Sequence, residues 1–265
     1  MNNVRFSVDQ NTRLPRADEP PHPVAGKMLN EERDDEAAMT DTTSRRVGRP
    51  NTRVLSPELI VETALGLLDR HGEHGFNMRD IARELGVRPS ALYNHVASKD
   101  DIYRGIREFI AERIARALPD DEAWDVTIAS WARGYRATFA AHPPTVALLA
   151  VMPISPTSKV SVFYEHIVRK LHEAGWGRGE ALSILVALES FILGSALDAA
   201  AAPDMMHPGT RTDVPTFSAA YAERDLEVAA SGTSPADLAF ETGLRLILNG
   251  LRAEADASAS GSGPK

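Results

Sequence analysis

Residues 77–98 read NMRDIARELGVRPSALYNHVAS, and this stretch decides the fold. Asn77 is a good helix N-cap, and Asp80 stands three residues on, as a capping box requires. Ile81, Ala82 and Leu85 then recur on one helical face. Gly86 follows as the residue that can turn left-handed, and Val87 plugs the gap beneath the turn. A second short helix starts at Pro89 and carries Leu92 and Val96 inward at i, i+4. Two short helices joined by a tight glycine turn make a helix-turn-helix, and the small Ala82 lets them cross closely. The outward residues are Arg88, Ser90, Ala91, Tyr93, Asn94 and His95. These short polar or flat groups suit entry into a DNA major groove about 12 Å wide. The outward face lacks the Glu/Lys pairs at i, i+4 of an ordinary surface helix. A plain αα-hairpin inside a helical bundle is the alternative reading.

Upstream, Ser56-Pro57 starts a helix, and Ile60, Ala64, Leu67 and Leu68 line its inner face up to His71-Gly72. Downstream, Ser98 caps a longer helix with Asp100 and Asp101 in its first turn, where the helix dipole favours them. Ile102, Ile106, Phe109, Ile110 and Ile114 form its apolar face, and Pro119 marks its end. Beyond it the chain reads as helix throughout: 124–141, 145–151, 160–174, 180–202 and 235–253, with a loop over 203–215. The expected class is therefore all-α: an N-terminal three-helix helix-turn-helix domain and a C-terminal helical bundle.

The chain has 265 residues and a formal net charge of −8, which taken whole argues against a polyanionic partner. The charge is unevenly spread. Residues 45–118 hold 13 basic and 10 acidic groups, residues 1–44 hold 5 and 9, and residues 119–265 hold 11 and 18. The acidic total thus conceals a basic module, with Arg45, Arg46, Arg49 and Arg53 in one short lead-in. Residues 1–44, rich in proline and acidic groups, read as a disordered arm or as sequence upstream of a true start at Met28 or Met39. Residues 45–55 form the basic lead-in, 56–118 the helix-turn-helix domain with its connecting helix, and 119–253 the second domain. Residues 254–265 read as a disordered Ala/Ser/Gly tail. The absence of cysteine excludes a disulfide scaffold, a cysteine nucleophile and Cys-ligated metal. The apolar stretch 184–202 contains Glu189 and Asp198, costly inside a bilayer, so a buried or interface helix of a cytoplasmic protein is expected.

Residues 55–102, LSPELIVETALGLLDRHGEHGFNMRDIARELGVRPSALYNHVASKDDI, resemble the N-terminal DNA-binding domain of the TetR family of bacterial repressors. The resemblance lies in the A-L-x-L-L helix, the H-G-x-x-G-F turn, the R-D-I-A-x-x-L-G-V helix-turn, and A-L-Y-x-H-V followed by S-K-D-D. It implies DNA contacts from Asn77 and Arg79, from Arg88, Pro89, Ser90 and Ala91 at the start of the recognition helix, and from Tyr93, Asn94 and His95. Lys99 would bind phosphate, and Arg45, Arg46 and Arg49 would reach phosphates or the minor groove. Arg88 stands where the family often has a Ser/Thr cap, which loses capping energy and supplies a candidate guanine reader. Alternatively, Tyr93 could pack against the first helix and His95 could satisfy a backbone carbonyl.

The runs ALESFILGSALDA (187–199) and HPPTVALLA (142–150) look most like the tetracycline-repressor branch. That likeness implies a homodimer through helices 180–202 and 235–253. Gly194, Ser195, Ala196 and Ala199 would permit close approach. Phe240, Leu244, Ile247, Leu248 and Leu251 form a stripe that a monomer would leave partly bare. It also implies an effector pocket, for which Phe109, Trp131, Tyr135, Phe139, Leu149, Met152 and Phe163 are candidates; the alternative is that these are simply core. Leu149 stands where tetracycline repressors carry a magnesium-binding histidine, and the eight histidines show no i, i+4 metal pair. A largely apolar, aromatic effector is expected rather than tetracycline–magnesium, with no metal and no cofactor.

Phosphate-loop, zincin and nucleophile-elbow motifs are absent, so no enzyme is expected. The expected function is a homodimeric repressor, released from a palindromic double-stranded operator by a small molecule. The alternatives are a ligand-independent activator or DNA-organising member of the same family, or an all-helical binding protein or enzyme with an incidental helix-turn-helix.

Overall fold

The computed structural model describes residues 54–72, 77–116, 118–119 and 122–261. The expected arm over 1–44 and the lead-in arginines Arg45, Arg46 and Arg49 lie outside them. Among the described residues all regular structure is helical: α1 (Pro57–His71), α2 (Met78–Glu84), α3 (Pro89–Leu92), α4 (Lys99–Ala115), α5 (Trp124–Ala140), α6 (Pro144–Ala150), α7 (Val160–Glu173), α8 (Arg178–Asp198), α9 (Pro215–Ser231) and α10 (Pro235–Gly261).

The helix starts follow the side-chain chemistry. Ser56 accepts from the Leu59 amide at 3.2 Å. The Asn77 carboxamide oxygen accepts from the Arg79 and Asp80 amides, and Asp80 accepts back from the Asn77 amide at 3.1 Å. Ser98 and Asp101 form a second such box. Each box satisfies amides that the first helical turn leaves unpaired. Gly86, with φ +66°, reverses the chain after α2, and the Val87 amide bonds back to the Ala82 carbonyl at 2.9 Å.

Ile60, Ala64 and Leu68 of α1 pack with Ile81, Leu92, Ile102 and Ile106, all fully buried. The α1–α4 crossing is close at Gly105, where a Cβ would lie 2.4 Å from Val61 Cγ2. α3 is shorter than expected. Its last turn tightens after Leu92 into i→i−3 bonds, yet Val96 is still buried. α4 ends at Ala115, before Pro119.

α8 is the axis of the second half and packs against α5, α7 and α10. Arg136 of α5 joins all three layers. Its Nε donates to Ser195 Oγ of α8 at 2.8 Å, its Nη1 donates to Asp237 Oδ1 at 2.6 Å, and its guanidinium lies 4.7 Å from the Phe240 ring of α10.

Three expectations are corrected here. The tail does not begin at 254: α10 continues to Gly261, because an Ala-rich run has high intrinsic helix propensity whatever its complexity. The stripe of α10 is not left bare in one copy. Phe240, Leu244, Leu248 and Leu251 are buried against the chain's own core, and Ile247 is half-buried. Finally, α9 was not expected. It has no buried residue and hence no strong apolar period. It is carried by five alanines between Pro215 at its first turn and the left-handed Gly232 at its end.

Candidate functional site

Two surfaces stand out, at opposite ends of α4. The first is the outer side of α2 and α3. Arg79, Arg88, Pro89, Ser90, Tyr93, Asn94 and His95 are exposed, and Ala91 is half-buried. Tyr93 is 55% exposed, so much of its side chain is open to solvent. The surrounding arginines are paired: Arg70 with Glu84 at 2.9 Å, Arg83 with Asp80 at 2.6 Å, and Arg104 with Asp101 at 2.6 Å. Arg79 and Arg88 have no acidic partner among the described residues. Two cations without counterions on the rim of a helix-turn-helix make a local anion-binding face. Lys99, at the first position of α4, lies 5.3 Å from the Tyr103 ring centre. Arg88 caps α3 with no side-chain hydrogen bond, leaving its guanidinium outward. Asn77 uses its carboxamide oxygen in the capping box.

The second is a cavity of about 370 Å³ between α4, α5, α6, α7 and α8. Of the sequence-based candidates, Tyr135, Phe139, Leu149, Met152 and Phe163 line it, whereas Phe109 and Trp131 do not. Trp131 is fully buried in the core behind it, and Phe109 is only half-buried, with the Arg113 guanidinium 5.2 Å from its ring. The helical period places a residue on the inner face of its helix. It does not say whether that face meets packing or a void.

Besides Tyr135, the polar residues of the cavity are Arg107, Tyr164 and Glu189, none of them among those candidates. Arg107, on α4, is buried and donates to the carbonyls of Leu149 and Met152 at 2.6 Å and of Pro153 at 2.7 Å. These carbonyls sit at the C-terminal end of α6, where the helix leaves acceptors unpaired and its dipole favours a cation. Glu189, on α8, accepts from both Tyr135 and Tyr164 through one oxygen, Oε1. Burial pushes both phenols far above their ordinary range, and the adjacent carboxylate adds to it, so both remain protonated donors. Tyr135 also stacks in a chain of rings, 5.0 Å from Phe139 and 6.3 Å from Phe163, which is 4.7 Å from Tyr164. The cavity holds no histidine and a single carboxylate, a donor set unsuited to a divalent cation. Their one sequence signal is the polar character of Arg107 and Glu189 on otherwise apolar faces.

α4 connects the two surfaces. Besides Arg107, its Glu108 accepts from Ser158 and from the Lys159 amide at the start of α7, and its Glu112 pairs with Lys159. Between α1 and the α5–α6 turn, His142 Nδ1 lies 2.7 Å from Asp69 Oδ2.

Residues 118–255 match the tetracyclin repressor-like C-terminal domain, and residues 60–106 match the domain of bacterial regulatory proteins of the tetR family. The chain is 30% identical over 207 residues to a class C tetracycline repressor of Escherichia coli, covering 74% of this chain and 90% of that one. An HTH-type transcriptional regulator of Saccharopolyspora erythraea is 26% identical over 207 residues, 76% of this chain and 86% of its own. Among solved structures, a possible TetR family transcriptional regulator of Streptomyces coelicolor A3(2) superposes with a TM-score of 0.56 at 31% identity, covering 75% of this chain and 99% of that one. The Streptomyces coelicolor TetR family protein ActR, in complex with actinorhodin, does so with a TM-score of 0.57 at 26% identity, covering 76% of this chain and 98% of that one. The chain therefore belongs to the TetR family of bacterial transcriptional regulators.

Proposed function

We propose that this regulator is a cytoplasmic, homodimeric repressor, released from a palindromic operator by a small, largely apolar molecule bound in the 370 Å³ cavity. The observation that carries this reading is α4 itself. Its first turn follows directly on the helix-turn-helix that carries the exposed, uncompensated Arg79 and Arg88, its body packs on α1, and its later turns form a wall of the cavity. An occupant that moves the α4 wall favours a state with a different recognition-helix spacing, and its differential affinity for the two states sets the response. One relative is named a tetracycline repressor, and ActR has been solved in complex with actinorhodin, which supports a small-molecule effector here.

Dimerisation is supported by bare apolar surface. α8 is long and apolar enough to cross a membrane by length and composition, and 28% of its most apolar stretch is buried in one copy. Its exposed residues Ser183, Val186, Ser190, Gly194 and Leu197 recur at helical spacing, and Ala239, Thr242, Leu246 and Gly250 do the same on α10. Two such stripes of small and apolar residues pack closely against a second copy. Two recognition helices about 34–36 Å apart then match one turn of DNA.

The test is a gel shift with DNA flanking the protein's own gene at moderate salt. A specific, saturable shift is expected. Arg88→Ala should weaken it by about 1–3 kcal/mol and relax base preference at one position of each half-site. Absence of any sequence-specific shift refutes the repressor reading. A uniform loss across sequences makes Arg88 a phosphate contact.

A further inference from the structure

The electrostatics of the cavity select the class of occupant more narrowly than its apolar lining does. Arg107 and Glu189 carry the formal charges of its wall. Nη1 and Nη2 of Arg107 donate to three carbonyls at the end of α6, which ties this guanidinium to the backbone there. Glu189 is used on one side only. Both tyrosine hydroxyls converge on Oε1, and Oε2 has no hydrogen-bond partner among the described residues. A carboxylate with one free oxygen in an apolar cavity is poorly compensated, and an opposite charge at low dielectric compensates it best. The walls beside it are the rings of Tyr135, Phe139, Phe163 and Tyr164, whose faces attract cations. Apart from the α4 wall, the cavity is built by residues 119–265, which hold 18 carboxylates against 11 basic groups.

We infer that the cavity takes an organic cation, an apolar ring system carrying a protonated amine that pairs with Glu189 Oε2. This rests on the reading of the cavity as the effector site. In the bound state the ammonium donates to Oε2, the rings enclose the carbon adjoining it, and Ile110, Leu149 and Leu185 cover the apolar end. Arg107 keeps α4 fastened to α6, so it does not compete for the ligand.

The test is isothermal titration of the full chain at neutral pH with three matched probes: 2-(1-naphthyl)ethylammonium, 2-(1-naphthyl)ethanol and 1-naphthylacetate. The ammonium should bind at least about tenfold tighter than the alcohol, with the carboxylate weakest. In Glu189→Gln the preference for the ammonium should fall to within about threefold, with the alcohol's affinity unchanged. Tyr164→Phe keeps the carboxylate and releases a donor from Oε1, so the ammonium preference should persist or grow. Equal binding of alcohol and ammonium, tightest binding of the carboxylate, a preference that survives Glu189→Gln, or no saturable binding by any probe overturns the inference. A gel shift with the ammonium separates this outcome from the effector reading. Glu189-dependent binding that leaves DNA affinity unchanged upholds the cation site and refutes ligand release.

Discussion

Replacing Arg107 with Met removes a side chain that fastens α4 to the end of α6. The magnitude follows from its three hydrogen bonds of 2.6–2.7 Å to the carbonyls of Leu149, Met152 and Pro153. Hydrogen bonds from a charged donor contribute about 1.5–3 kcal/mol each taken singly, and orphaned buried carbonyls add a similar cost. Against this stands the desolvation of a buried guanidinium, several kcal/mol that Met does not incur. Met also retains most of the apolar stem. The net loss should be about 2–4 kcal/mol, since the three bonds come from one guanidinium and are not additive. Arg107→Lys keeps the charge but cannot reach three diverging carbonyls, and should lose about half as much. Urea unfolding at fixed protein concentration is the assay, and the Met variant should shift the midpoint down by about 1–2 M. Because the fastening links the cavity wall to α4, the same variant should respond less to any effector that releases DNA from the parent protein. A Met variant as stable as the parent, or a Lys variant losing more than Met, refutes the assignment of Arg107 as the clasp.

Other outcomes follow from single contacts. Gly105→Ala should gain up to about 1 kcal/mol in helix propensity and lose about 1–3 to the clash with the stiff Val61 side chain, so a net fall in thermal stability is expected. A stabilised Ala variant means that the α1–α4 crossing is looser than 2.4 Å implies. Leu246→Glu places a charge on the bare stripe of α10, and light scattering should find a folded monomer; an unchanged dimer puts the interface elsewhere. The Asp237 carboxyl lies below its ordinary range, chiefly because Arg136 donates a hydrogen bond to it. Its folded-state value is depressed, so its contribution is present at neutral pH and disappears as the pH falls through the carboxylate range toward that depressed value. Asp237→Asn should therefore be less stable than the parent at pH 7 and converge with it in acid. A constant difference down to pH 3 refutes this, measured by thermal melts across the range.

The helix-turn-helix was legible because its determinants are local. A cap and its partner stand three residues apart, as Asn77 and Asp80 or Ser98 and Asp101 do, and a chain-reversing glycine sits directly at its turn. Five of the seven candidates that the family resemblance offered for an effector pocket line the cavity. The boundary of α10 and the existence of α9 were not legible, because both rest on alanine-rich propensity rather than on an apolar period.

By itself, then, the sequence determined an all-helical chain, a basic reading module hidden in an acidic total, and the faces each helix turns inward. Only the tertiary structure decided which inward residues meet packing and which meet a void, sending Trp131 to the core and Tyr135 to the cavity from the same helix face. It alone brought Glu189 to the hydroxyls of Tyr135, 54 residues away, and Tyr164, 25 away, and Arg107 to carbonyls more than 40 residues on. The reason is physical: a cap is settled within one turn of helix, whereas the partner of a buried charge is whatever the packing of distant helices places within about 3 Å of it.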